Sequence, residues 1–146
     1  MKKKILIVNG PNLNLLGQRE ELIYGKETLE DIKNNCEKYS SKLNLIIDFY
    51  QFNNEGEIID KLHEVDKIYD GLIINPAAYT HSSIAILDSL RAIKKPKIEI
   101  HLSNIYARED YRKKSITSEG VNGLICGFGS NSYILGIEAI HKLIYN

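Results

Sequence analysis

The sequence predicts an α/β fold, one parallel sheet with helices packed on both of its faces. Three observations carry this. Short β-rich runs recur along the chain, segments with helical spacing of apolar residues separate most of them, and no Gly/Pro-rich or charged linker divides the 146 residues. Strands that alternate with helical crossovers connect right-handedly and lie parallel, and a parallel sheet must be covered on both faces.

Taken in order, the first run is ILIVN (5–9), followed by Leu29, Ile32, Cys36, Tyr39 and Leu43, which step by three or four. LIIDFY (45–50) is the second strand, and Ile58, Leu62 and Val65 mark the helix after it. GLIIN (71–75) precedes Ile84, Leu87, Leu90 and Ile93, which repeat at three. KIEIH (97–101) and GLICGF (123–128) are the last two strands, and Ile134, Ile137, Ile140 and Ile144 form the closing helix. Five such units within one domain, 1–146, make a flavodoxin-like, doubly wound five-stranded parallel sheet the expected architecture. Ligands of such sheets bind beyond the carboxyl ends of the strands, beside the point where strand order reverses. Segments 10–26 and 103–121 are too long for simple turns, and both follow strands at that edge, where long loops are usually functional.

Composition is ordinary for a globular chain, 43% hydrophobic and 26% charged. Lys plus Arg (19) balances Asp plus Glu (19), so no global field attracts nucleic acid or acidic membranes. Cys36 and Cys126 form no CxxC pair and are expected to be buried thiols in a reducing cytosol. Lys2, Lys3 and Lys4 precede an apolar run of about four residues, too short for a secretory core, and no run approaches the roughly 18 residues of a membrane span. The expected location is cytoplasmic.

Polar residues cluster at the strand ends. In KIEIHLS, strand alternation places Glu99, His101 and Ser103 on one face. A carboxylate beside an imidazole fixes its tautomer and leaves the second nitrogen for a substrate, as a general acid requires; a purely structural pair fits the pattern equally. In NPAAYTHSSIAILDSL, Asn75 ends a strand, Pro76 blocks its continuation, and Thr80, Ser82 or Ser83 can cap the next helix. His81 lies at that helix's start. Asp88, two turns on, points away from the His81 end within one subunit, and is either a solvated acid or a group serving a neighbour's site. In AREDYRKK, a turn of helix would put Arg108 and Arg112 on one side, where they either clamp an anion or lie solvated. His63 and His141 are expected to be exposed, and GFGS (127–130) lacks the pattern of a phosphate loop.

Three stretches, NGPNLNLLGQRE…YG (9–25), NPAAYTHSSIAILD (75–88) and EIHLSNIYARE (99–109), together resemble the type II 3-dehydroquinate dehydratases, a likeness running from residue 5 to about 138 and including QFNNEGEIID (51–60). The resemblance implies the flavodoxin-like fold, no metal and no cofactor, and assembly as a homododecamer built of trimers. It implies conversion of 3-dehydroquinate to 3-dehydroshikimate, a water elimination in the shikimate route to chorismate and aromatic amino acids, or in quinate catabolism. By the same resemblance Tyr24 is the base, and Arg19, helped by Arg108, favours its phenolate. Asn12 stabilises the enolate through a held water, and His101, oriented by Glu99, protonates the departing hydroxyl. Asn75, Ser103 and the backbone at Leu102 take the substrate carboxylate, His81 and Arg112 take ring hydroxyls, and Asp88 reaches in from an adjacent subunit. Segment 10–26 then serves as a lid over the pocket. The chain departs from the family pattern at Glu21 (usually proline), Ala77 (glycine) and Phe52 (serine). Two rival readings are a flavin or phosphoacceptor module, which the NGPN strand end disfavours, and a metal hydrolase using His81, Glu99 and His101 as ligands.

Overall fold

The computed structural model describes residues 1–18, 22 and 26–146. Arg19, Glu21 and Tyr24 lie outside the described residues. The strands are β1 (Lys3–Asn9), β2 (Leu45–Gln51), β3 (Gly71–Asn75), β4 (Lys97–His101) and β5 (Gly123–Cys126), paired in parallel in the order β2-β1-β3-β4-β5. The order reverses beside β1, which lies between β2 and β3. Their carboxyl ends are level, with Asn9 opposite Asn75.

Helices α1 (Leu29–Lys42), α2 (Glu55–Leu62), α3 (Val65–Ile68), α4 (Ile84–Ala92) and α5 (Asn131–Tyr145) cover the sheet. Strand alternation divides the core. Ile5, Ile7, Ile73, Ile98 and Ile100 meet Ile32 and Cys36 of α1 and Tyr133, Ile137 and Ile140 of α5. Leu6, Val8, Leu72 and Ile74 meet Ile58, Leu62, Val65, Ile86 and Leu90 from α2, α3 and α4 on the other face. This two-layer cover is the doubly wound arrangement.

Local chemistry sets the helix starts. Thr28 and Asp31 form a reciprocal capping box at α1, both bonds 3.1 Å. Asn54 Oδ1 accepts from Glu57 N at 3.2 Å at α2, and Ser83 Oγ from Ile86 N at 2.9 Å at α4. Ser83, of the three candidates in the sequence, is therefore the cap.

The structure corrects several expectations. The apolar spacing of Ile58, Leu62 and Val65 spans two helices, because His63 and Glu64 tighten into a turn in which Glu64 N bonds Lys61 O at 3.1 Å. Ile84 is 63% exposed although Leu87 and Leu90 are buried. Cys36 is buried, but Cys126 on the edge strand β5 is only half-buried. His63 is exposed, whereas His141 is half-buried beside the Tyr145 ring, 4.8 Å between centroids. The β4–β5 connection holds only short 3-10 turns, Ile105–Ala107, Asp110–Arg112 and Thr117–Gly120. No helix among the described residues is long and apolar enough to cross a membrane.

Candidate active site

The carboxyl edges of β1, β3 and β4 open onto a cleft lined by Asn12, Asn75, His81, His101, Leu102, Ser103, Arg108 and Arg112, together with apolar groups such as Leu13, Leu16, Ala77 and Ile105. Every one of the eight was singled out in the sequence. The residues come from four separate stretches and meet because three adjacent parallel strands deliver their following loops to one side.

Behind the cleft, the strand ends are held by a buried amide–phenol chain. Tyr133 Oη donates to Asn9 Oδ1 at 2.6 Å and accepts from Asn75 Nδ2 at 3.2 Å. Asn9 Nδ2 donates to Tyr50 O at 3.0 Å, and Asn75 Oδ1 accepts from Ala77 N at 3.2 Å. Burial pushes the Tyr133 phenol well above the ordinary tyrosine range, so it stays protonated and can donate. The loops after β1 and β3 abut: Gly10 N donates to Asn75 O at 2.8 Å, and a Cβ at residue 10 would sit 2.4 Å from Pro76 O. Asn12 and Ala77 both have positive φ, 68° and 53°. Asparagine adopts that region readily and alanine does not, which is the structural cost of alanine where the resembling family has glycine.

Glu99 and His101 sit on alternate residues of β4, and their side chains bond directly, His101 Nε2 to Glu99 Oε2 at 2.7 Å. Glu99 is 0% exposed and His101 5%. The imidazole lines the cleft with Nε2 committed inward, so Nδ1 is the nitrogen available to a bound molecule. His81 also lines the cleft, and its Nδ1 donates to Lys114 O at 2.8 Å. Among the described residues no group of three His, Cys, Asp or Glu side chains could hold a metal ion, so His81, Glu99 and His101 do not assemble as ligands.

Arg108 and Arg112 do not share a helical turn. Arg108 follows the first 3-10 turn and Arg112 ends the second, yet both line the cleft and both meet Glu109. Arg112 Nε donates to Glu109 Oε2 at 2.8 Å, and Arg108 Nε lies 3.7 Å from Glu109 Oε1. The Tyr111 hydroxyl, 2.7 Å away, and Arg112 hold the Glu109 carboxyl at about 2, far below the usual carboxylate range. Asp88 is exposed on α4 and does not line the cleft.

A family model described as Dehydroquinase class II matches residues 3–141. The chain belongs to that family. A 3-dehydroquinate dehydratase from Clostridium botulinum is 57% identical over 136 residues, covering 93% of this chain and 92% of the relative. One from Bartonella tribocorum is 51% identical over 146 residues, 100% and 98% of the two chains. The crystal structure of a type II dehydroquinase from Butyrivibrio crossotus superposes with a TM-score of 0.93 at 45% identity, covering 95% of this chain and 97% of that one.

Sequence reading missed four residues that hold these groups: Glu109, Tyr133, and Ser115 and Thr117, whose hydroxyls donate to the Glu99 carboxylate at 2.8 and 2.5 Å. Glu109 was visible as the acid between Arg108 and Arg112. Ser115 and Thr117 had only the i, i+2 spacing of two hydroxyls, and Tyr133 looked like one more apolar residue of a helix face.

Proposed function

We propose that this chain is a type II 3-dehydroquinate dehydratase of the shikimate route, converting 3-dehydroquinate to 3-dehydroshikimate and water. The observation that carries the reading is the buried Glu99–His101 pair opening onto a cleft of neutral donors and two arginines, in a chain of this family. A small polyhydroxylated carboxylate requires such a lining. Amides and hydroxyls give direction, and guanidinium groups supply charge.

The elimination proceeds in two steps. Tyr24, its phenolate favoured by Arg19, takes the proton from the carbon beside the ketone, and the electron pair moves onto the ketone oxygen as an enolate. Asn12 steadies that charge through a held water, a preorganised dipole aimed where charge develops. The enolate then re-forms the ketone and a carbon–carbon double bond as the neighbouring hydroxyl leaves, taking the Nδ1 proton of His101 in its doubly protonated form, whose Nε2–H stays on Glu99, to depart as water. The proton on Tyr24 returns to His101 through solvent, closing the cycle. Asn75, Ser103 and the Leu102 backbone hold the substrate carboxylate, while His81 and Arg112 hold ring hydroxyls. Asp88, turned out of its own cleft, completes the site of a neighbour in a homododecamer of trimers, in the cytoplasm.

The test is the ultraviolet absorbance of the conjugated enone formed when the full chain meets 3-dehydroquinate, with and without a chelator. We expect absorbance to rise equally in both, and Tyr24→Phe to lower kcat by about 100-fold or more, the scale of a general base. No rise, or a rise abolished by chelation, overturns the reading.

A further inference from the structure

We propose that residues 114–117 are a single positioning element that fixes the tautomers of both cleft histidines, His81 directly and His101 through Glu99. Ile116 N donates to Thr80 O at 2.9 Å, which lays the segment beside the turn that carries His81. Lys114 O accepts from His81 Nδ1 at 2.8 Å. A carbonyl oxygen has no proton to give, so the proton is on Nδ1, and Nε2 is left with a lone pair.

The next residues hold the other imidazole. Ser115 Oγ donates to Glu99 Oε2 at 2.8 Å, and Thr117 Oγ1 donates to Glu99 Oε1 at 2.5 Å. Thr117 and Glu99 are both 0% exposed, so no water takes over these bonds. Ser115 Oγ itself accepts from Ser118 N at 3.0 Å, which aims its own hydrogen at the carboxylate. A carboxylate receiving two hydroxyl hydrogens is an acceptor toward its third partner, His101 Nε2 at 2.7 Å. Nε2 therefore carries the proton and Nδ1 is presented to the cleft. One short stretch of chain thus decides which nitrogen of each imidazole meets the substrate: a lone pair from His81 for a ring hydroxyl, and the Nδ1 proton site of His101 for the leaving oxygen. Ser115 and Thr117 touch no substrate; they act through Glu99 as positioning residues.

The kinetic consequence rests on the dehydratase reading, whereas the tautomers do not, and the experiment separates the two. In full-length protein labelled with 15N-histidine at pH 8.5, where an ordinary imidazole is neutral, two-bond nitrogen–proton spectra should show His81 as the Nδ1–H form and His101 as the Nε2–H form. Thr117→Val, which keeps the shape but removes the donor, should give mixed His101 tautomers and lower kcat about tenfold, with KM within twofold. Thr117→Ser should restore both. Opposite tautomers in the unsubstituted protein overturn the proposal, and they do so even if the valine variant fails to fold. A single Nε2–H form with unchanged kcat in Thr117→Val overturns it as well. The expected tautomers in a protein that does not turn over 3-dehydroquinate uphold the positioning element and defeat the dehydratase reading instead.

Discussion

Replacing Tyr133 by phenylalanine removes one oxygen from the centre of the structure and leaves the packing intact. The ring is 0% exposed and stays against Phe49, 6.2 Å between centroids. What disappears is the hydroxyl that donates to Asn9 Oδ1 and accepts from Asn75 Nδ2. Neither amide can turn to compensate. Asn9 Nδ2 is held by Tyr50 O at 3.0 Å, and Asn75 Oδ1 by Ala77 N at 3.2 Å. Two buried polar atoms are left without that partner, at about 1–3 kcal/mol each. Taking the lower bound for each, since the amides keep their other bonds, gives a loss of about 2 kcal/mol. Urea unfolding at fixed protein concentration should show the midpoint falling by about 1 M with the slope unchanged, for a slope of about 2 kcal/mol/M. Because Asn75 also lines the cleft, KM should rise while kcat is largely kept. A loss below about 0.5 kcal/mol, or a fall in kcat at constant KM, would show that the phenol does not brace the strand ends.

Two other outcomes are expected. Ala77→Gly should stabilise the protein by about 1 kcal/mol, because alanine at φ 53° costs about 1–2 kcal/mol, offset by less than 1 from the looser unfolded chain; the melting temperature should rise about 3 °C, and no rise would mean the local backbone is not strained. Glu109, with its carboxyl held at about 2 by Tyr111 and Arg112, favours the folded loop at pH above the ordinary glutamate value near 4.3, and that contribution is lost as pH falls toward 2. A carbon-13 titration of its side chain in the folded protein should therefore have its midpoint near 2, and a midpoint near 4.3 would mean that Tyr111 and Arg112 do not hold it.

The sheet was legible because its signal is local and periodic. GLIIN and KIEIH coincide with β3 and β4, and alternation along ILIVN divides the two core layers residue by residue. Ile84 shows where periodicity misleads. At about 100° per residue, a strict repeat of three drifts about 60° at each step and cannot stay on one face, so Ile84 points outward while Leu87 and Leu90 are buried, and Ile93 lies past the helix end in extended backbone. The cleft residues were legible in part from strand ends, since Asn75 and His101 close their strands at the edge where loops converge. Ser115 and Thr117 were not, because their partner Glu99 lies 16 and 18 residues earlier across a looping segment without repeat. Arg108 and Arg112 were placed on one side by helical spacing and arrive there through two separate 3-10 turns, with Glu109 bringing them together.

The abutment of Gly10 against Pro76 has a consequence for any attempt to redesign this scaffold. Position 10 has an alphabet of one: even alanine would force its methyl to within 2.4 Å of a main-chain oxygen, and relief could come only by prying apart the ends of two neighbouring strands. Asn75, whose carbonyl is tied to that same glycine, would be dragged along. Libraries aimed at new substrates should therefore leave residue 10 fixed, because a change there is felt first by the main chain of two strand ends and only then by the side chains that face the cleft.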